Sequence, residues 1–107
     1  MTNYIGDYYS TPHLPIMIDE VVAALNIKPN GIYIDGTLGK GGHSKSIMKN
    51  LSESGLLIGV DKDEQSIDFC NQYFKDEKTP HFFYHESYNN LDKILNKLKI
   101  KGVDGIF

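Results

Sequence analysis

A chain of 107 residues allows one domain at most, and 40% hydrophobic with 23% charged residues is an ordinary globular composition. A net charge of −3, with all eleven basic residues lysine, argues against a surface that coats nucleic acid broadly. It also removes any bidentate guanidinium clamp for phosphate or carboxylate. The single cysteine, Cys70, excludes an intramolecular disulfide, and with Ile67 and Phe74 it falls on one helical face, as a buried residue would. No run approaches the ~20 apolar residues of a membrane span and no basic start precedes an apolar segment, so a cytoplasmic protein without a membrane partner is expected.

Residues 1–14 are polar, tyrosine-rich and aperiodic, which suits an N-terminal arm ahead of a domain at 15–107. From Pro15, the residues Ile18, Val21, Val22 and Leu25 recur at helical spacing, and Asp19 and Glu20 suit a helix N-terminus. Lys28-Pro29-Asn30-Gly31 is turn chemistry. A first strand is predicted over 31–35, followed by a glycine-rich loop and a helix that turns Ile47, Met48 and Leu51 inward and stops near Ser54-Gly55. A second strand is predicted over 56–61, then a helix capped by Asp63 and running through Phe74. Thr79-Pro80 precedes a third strand, His81 to His85. Ser87 opens a further helix with Leu91, Ile94, Leu95 and Leu98 as its apolar stripe, Gly102 ends it, and Val103 to Phe107 begins a fourth strand.

Strands alternating with helices imply βαβ units and a parallel α/β sheet with flanking helices. In a doubly wound sheet the first strand is central and the fourth lies beside it. A chain stopping inside strand four is therefore expected to be the first part of a larger domain. An open strand edge there would be a hazard for pairing, so self-association through it is the expectation.

The segment Asp35-Gly36-Thr37-Leu38-Gly39-Lys40-Gly41-Gly42-His43-Ser44 carries the chemistry. A glycine loop between a strand and a helix brings bare backbone close to a ligand and points free N–H groups at it. Asp61, nineteen residues beyond Gly42 at the end of the second strand, suits a carboxylate that accepts from ribose hydroxyls. A P-loop is ruled out: Gly41 follows Gly39-Lys40 where Ser or Thr is needed, and the earlier glycine would fall at Ile34. The dinucleotide fingerprint is imperfect too, with Ser44 at the third glycine. Asp35 separates the remaining ligands. Opposite two phosphates it would repel, whereas opposite an amino-acid ammonium it would attract. Ribose and ammonium without phosphate describe S-adenosylmethionine better than NAD. Plainer readings stay open: a tight turn without a ligand, an Asp35 that only bonds loop amides, and a solvated Asp61.

Four segments resemble the bacterial-type small-subunit (16S) rRNA cytosine-N4 methyltransferases. They are His13 to Glu20; Gly31 to Ser44, with its Asp-x-Thr-x-Gly-x-Gly-Gly-His-Ser form; Leu57 to Asp63; and Val103 to Ile106. The resemblance implies a Rossmann-like class I methyltransferase fold, truncated here within strand four, and S-adenosylmethionine as cofactor. It implies small-subunit ribosomal RNA, or the assembling small subunit, as partner. Position by position it carries cofactor contacts onto Gly41, Gly42, His43, Asp61 and Tyr88, beside Asp35 and Gly39 of the same loop. Tyr88 stands where the family commonly has Phe, which keeps a ring for stacking on adenine but adds a hydroxyl that needs a partner. The family's next motif would begin just past Phe107. The catalytic residues are therefore unknown, and a chain of this extent is expected to be inactive alone.

Other features are weaker. His81 and His85, four apart on a strand without a cysteine partner, make a poor metal pair, so no metal is expected. Lys93, Lys97, Lys99 and Lys101 read as a solvated helix end that suits the helix dipole. The rival functions are an NAD-dependent oxidoreductase half-domain and a ligandless α/β module that self-associates.

Overall fold

The computed structural model describes residues 26–107, so the expected arm and the helix from Pro15 lie outside the described residues. Four strands, β1 (Ile32–Asp35), β2 (Leu56–Asp61), β3 (His81–His85) and β4 (Gly105–Ile106), form one sheet in the order β3-β2-β1-β4. Every pairing is parallel. Between the strands run α1 (Gly42–Asn50), α2 (Glu64–Tyr73) and α3 (Leu91–Lys97), the last entered through a 3-10 turn at Tyr88–Asn90.

Alternation along the strands sorts the core into two layers, because successive side chains leave opposite faces of a sheet. Tyr33, Leu57 and Phe83 point to one face and meet Ile47, Met48 and Leu51 from α1 and its end, with Ile67, Cys70 and Phe74 from α2 and its end. Ile34, Ile58 and Val60 point to the other and meet Leu91 and Ile94 of α3. The stripes expected from spacing for α1, α2 and α3 are the ones that turn inward. Cys70 is free and fully buried, and burial foremost, with the nearby Asp35 and Asp61 charges, pushes its thiol up to about 12. It therefore stays protonated and unreactive at neutral pH.

Element ends are set by local chemistry. Asp63 caps α2 through its carboxylate, which accepts from the Gln65 amide at 2.9 Å. Ser87 caps the 3-10 turn by accepting from the Asn89 amide. Two expected helix ends are corrected: α1 ends at Asn50, short of Ser54-Gly55, and α3 at Lys97, not at Gly102. Lys99 takes a left-handed conformation, φ 60°, its amide donates to the Asn96 carbonyl, and the Ile100 amide reaches back to Leu95. That is a Schellman ending, and it packs Ile100 with Leu95 against the α3 layer. Tertiary contact by Ile100 outweighs the backbone freedom that Gly102 offers. Strand four is likewise shorter than 103–107, although Phe107 still donates to Ile34 and accepts from Gly36.

Candidate functional site

The glycine loop is built around a buried carboxylate. Asp35 closes β1 with 0% exposure. Its Oδ1 accepts from the Thr37 amide at 3.0 Å and the Thr37 hydroxyl at 3.3 Å, and its Oδ2 accepts from the Ser44 hydroxyl at 2.8 Å. The sequence reading preferred a carboxylate facing a ligand's ammonium and left open one that only bonds the loop. In the structure its bonds tie the start of the loop to the first turn of α1. A buried carboxylate requires such donors, and Thr37 and Ser44 of the motif supply them.

Leu38 is the loop's anchor. It is buried, its amide donates to the Val60 carbonyl, and its side chain fills the space left by Gly59 in β2. A Cβ on Gly59 would lie 2.8 Å from both Leu38 and Phe83. Gly39 and Gly41 both have positive φ, 50° and 85°. At Gly41 a Cβ would meet the Phe74 ring at 2.8 Å and Cys70 Sγ at 3.3 Å, so this glycine lets α2 approach the loop. The Gly39 amide donates to Asp61 Oδ2 at 2.8 Å, joining the two parts of the sequence signature by one direct bond. Asp61 Oδ1 accepts from the Asp63 amide, also at 2.8 Å. Each oxygen keeps a further lone pair for a ligand. Gly42 and His43 open α1, which has no acidic residue in its first turn and no side-chain cap, and the His43 ring stacks on Phe107 at 6.4 Å.

A cavity of about 330 Å³ opens where β1, β2 and β3 end, lined by Gly36, Thr37, Asp61, Lys62, Glu86 and Tyr88. Ligands of open parallel sheets bind beyond the carboxyl ends of the strands, beside the point where strand order reverses; here that point lies between β1 and β4. Tyr88 lies half-exposed with its ring over Gly36, where a Cβ would come within 2.6 Å of it. Of the residues expected from sequence, Asp61 and Tyr88 line the cavity. Gly39 is bonded to its Asp61 wall, and Gly41, Gly42 and His43 form the adjoining helix start.

Sequence reasoning missed Glu86. It stands one residue past β3, so parallel pairing sets it beside Asp61 at the end of β2. The signal in the sequence was its place directly after the third strand; the pairing of β3 with β2 came from the structure. Hydrogen bonds from the Asn90 side-chain amide foremost, and from the Ser87 backbone amide, hold the Glu86 carboxyl below the usual range. His81 and His85 are spent on backbone: His81 Nδ1 donates to the Thr79 carbonyl at 2.7 Å and His85 Nε2 to that of Lys62 at 2.8 Å. Among the described residues no cluster of His, Cys, Asp and Glu could hold a metal ion, and no helix is long and apolar enough to cross a membrane.

A parallel sheet in this order, layered with helices and pocketed at its strand ends, is a Rossmann-like methyltransferase fold. It is shared with an O-methyltransferase of Bacillus cereus solved with SAH, at TM-score 0.64 and 18% identity over 91% of this chain and 44% of that one. A SAM-dependent O-methyltransferase of Thermotoga maritima aligns at TM-score 0.63 and 15% identity, over 68% of this chain and 28% of that one. Residues 10–107 match the MraW methylase family, and the chain belongs to it. A relative from Clostridium botulinum named ribosomal RNA small subunit methyltransferase H is 44% identical over 88% of this chain. One of the same name from Caldicellulosiruptor saccharolyticus is 43% identical over the same share. The chain spans 30% of the length of these relatives.

Proposed function

We infer that this chain forms the cofactor-holding part of an S-adenosylmethionine-dependent methyltransferase. Its substrate is small-subunit ribosomal RNA, its acceptor atom is N4 of a cytosine, and it works in the cytoplasm. The observation that carries the cofactor is the cavity wall: Asp61 and Glu86 against a single Lys62, with the Tyr88 ring beside them. Two carboxylates and one ammonium leave a net negative pocket, which suits a sulfonium and opposes a diphosphate. That charge balance disfavours the NAD alternative. Asp61 has lone pairs left for the ribose hydroxyls, and the Tyr88 ring offers a face for adenine. The uncapped start of α1 at Gly42 and His43 suits the cofactor's carboxylate, with Gly39 and Gly41 giving the loop its bend. Asp35 serves by fixing that loop.

When bound, S-adenosylmethionine supplies an electrophilic methyl group on sulfur. The RNA substrate is supported by the relatives' names, and N4 of cytosine by the resemblance of the loop motif. Cytosine N4 is a weak nucleophile, its lone pair delocalised into the ring, so the reaction depends on holding a flipped base in line with that methyl. No residue between 26 and 107 is assigned to that task.

Calorimetric titration with S-adenosylmethionine and with NAD tests the reading. S-adenosylmethionine should bind and NAD should not, and Asp61→Ala should weaken the former by about 1–3 kcal/mol, the cost of stranding hydrogen-bonding groups. Tighter binding of NAD would overturn it.

A further inference from the structure

α1 and α2 cover the same face of the sheet, and a groove lies between them on the outside of that layer. It forms a cavity of about 300 Å³ lined by Lys45, Met48 and Lys49 of α1 and by Tyr73, Phe74 and Glu77. It shares no residue with the cavity at the strand ends. Phe69 and Tyr73, one helical turn apart on α2, are 42% and 48% exposed. Their rings lie near-parallel, 13° apart in plane with centroids at 5.6 Å. Tyr73 also meets the buried Phe74 ring edge-on at 4.9 Å, so the pair is braced against the core. A single exposed ring needs no explanation, but two stacked rings make an apolar patch. The charge beside them is largely of one sign. From Gly36 to Ser52 the chain carries Lys40, Lys45 and Lys49 and no acidic residue, on a molecule whose net charge is −3. Lys45 Nζ stands 5.8 Å from the centre of the Tyr73 ring. Glu77 is the one acid among the lining residues, which leaves the groove net positive.

We propose that this groove binds a single-stranded stretch of RNA, with bases stacking on Phe69 and Tyr73 and phosphates on Lys45 and Lys49. The inference rests on the RNA substrate inferred above and adds a second contact surface, apart from the cavity that takes the cofactor. Flat exposed rings beside ammonium groups match what a single strand offers, unpaired bases with open faces and one phosphate per nucleotide. A duplex keeps its bases stacked on one another, so the rings gain nothing from it. The lysines alone would suit any acidic partner; the parallel rings are what favour bases. Because the platform is braced on Phe74, little side-chain freedom is lost when a base settles on it.

The test is fluorescence polarisation of a labelled oligouridylate of about ten nucleotides, a length that such grooves span, titrated with the chain. The probe contains no cytosine, so recognition of the acceptor base does not enter. Phe69→Ala and Tyr73→Ala should each weaken binding by about fivefold or more, the loss of one stacked base. Replacing Lys45 and Lys49 together by Gln should make the slope of log affinity against log salt shallower by about 1.4, two single-strand phosphate contacts at about 0.7 each. Replacing Lys93 and Lys97 of α3 by Gln should change neither readout. Both rings are exposed, and unchanged titration with S-adenosylhomocysteine shows that each variant keeps its fold. If the strand binds and neither ring variant weakens it, or the Lys93 and Lys97 exchange abolishes binding, the groove is not the site. If the strand does not bind and sedimentation shows a dimer that Tyr73→Ala dissociates, the rings are a protein interface and the proposal is overturned. Small-subunit ribosomal RNA is the second probe. If it binds with no dependence on the rings, the RNA reading stands and the groove alone is overturned. If neither RNA binds, the RNA reading loses its support in this chain and the groove falls with it.

Discussion

Asp35 shows how one residue can belong to a functional loop without facing a ligand. Its two oxygens collect three hydrogen bonds from Thr37 and Ser44 in a site with no exposure. Removing the carboxylate strands the buried Ser44 hydroxyl and takes an acceptor from the part-buried Thr37 amide and hydroxyl. Asp35→Ala should therefore cost about 2–4 kcal/mol of stability, measured by denaturant unfolding. A loss under about 0.5 kcal/mol would mean that water or a neighbouring group takes over those donors. Its presence at the end of a strand was legible in the sequence. Its direction was not, because the choice between ligand and loop depends on where the Ser44 hydroxyl ends up, nine residues on in the first turn of α1. Gly41 is similar: sequence marks a glycine that a ligand could need, while the fold adds a Phe74 ring against its Cα.

At the scale of elements, the strand and helix order was legible because each has its own period and its own caps. Asp63 and Ser87 both cap as expected. The end of α3 was misread. A glycine is the usual signal for a left-handed ending, yet the turn falls on Lys99 because Ile100 must reach the layer of Leu95 and Ile94. A lysine held at φ 60° carries a strain of about 1–2 kcal/mol, partly offset in a Lys99→Gly exchange by the greater freedom of glycine in the unfolded chain. That variant should gain about 0.5 kcal/mol in thermal or denaturant unfolding. A loss would show that the lysine side chain itself contributes there.

Across the whole molecule, the sheet is unequal. β2 is flanked on both sides and covered on both faces, with Leu57 and Ile58 fully buried. β4 pairs over two positions only, held by the amides of Asp104 and Phe107 and by Asp104 Oδ2 accepting from the Ile32 amide at 2.8 Å. Hydrogen exchange should follow that order, with the Asp104 and Phe107 amides exchanging at least tenfold faster than those of Leu57 to Val60. Equal protection would mean that β4 opens only with the whole sheet.

By itself the sequence determined the alternation of strands and helices, the inward stripes, and the two halves of the site signature, Gly39 to His43 and Asp61, because these depend on local period, caps and turn chemistry. Only the tertiary structure decided what those halves touch. The Gly39 amide meets Asp61 across a 22-residue separation, Tyr88 lies over Gly36, and Glu86 joins Asp61 in one wall. The physical reason is parallel pairing, which gathers the ends of three strands at one edge and turns residues distant in the chain into one pocket.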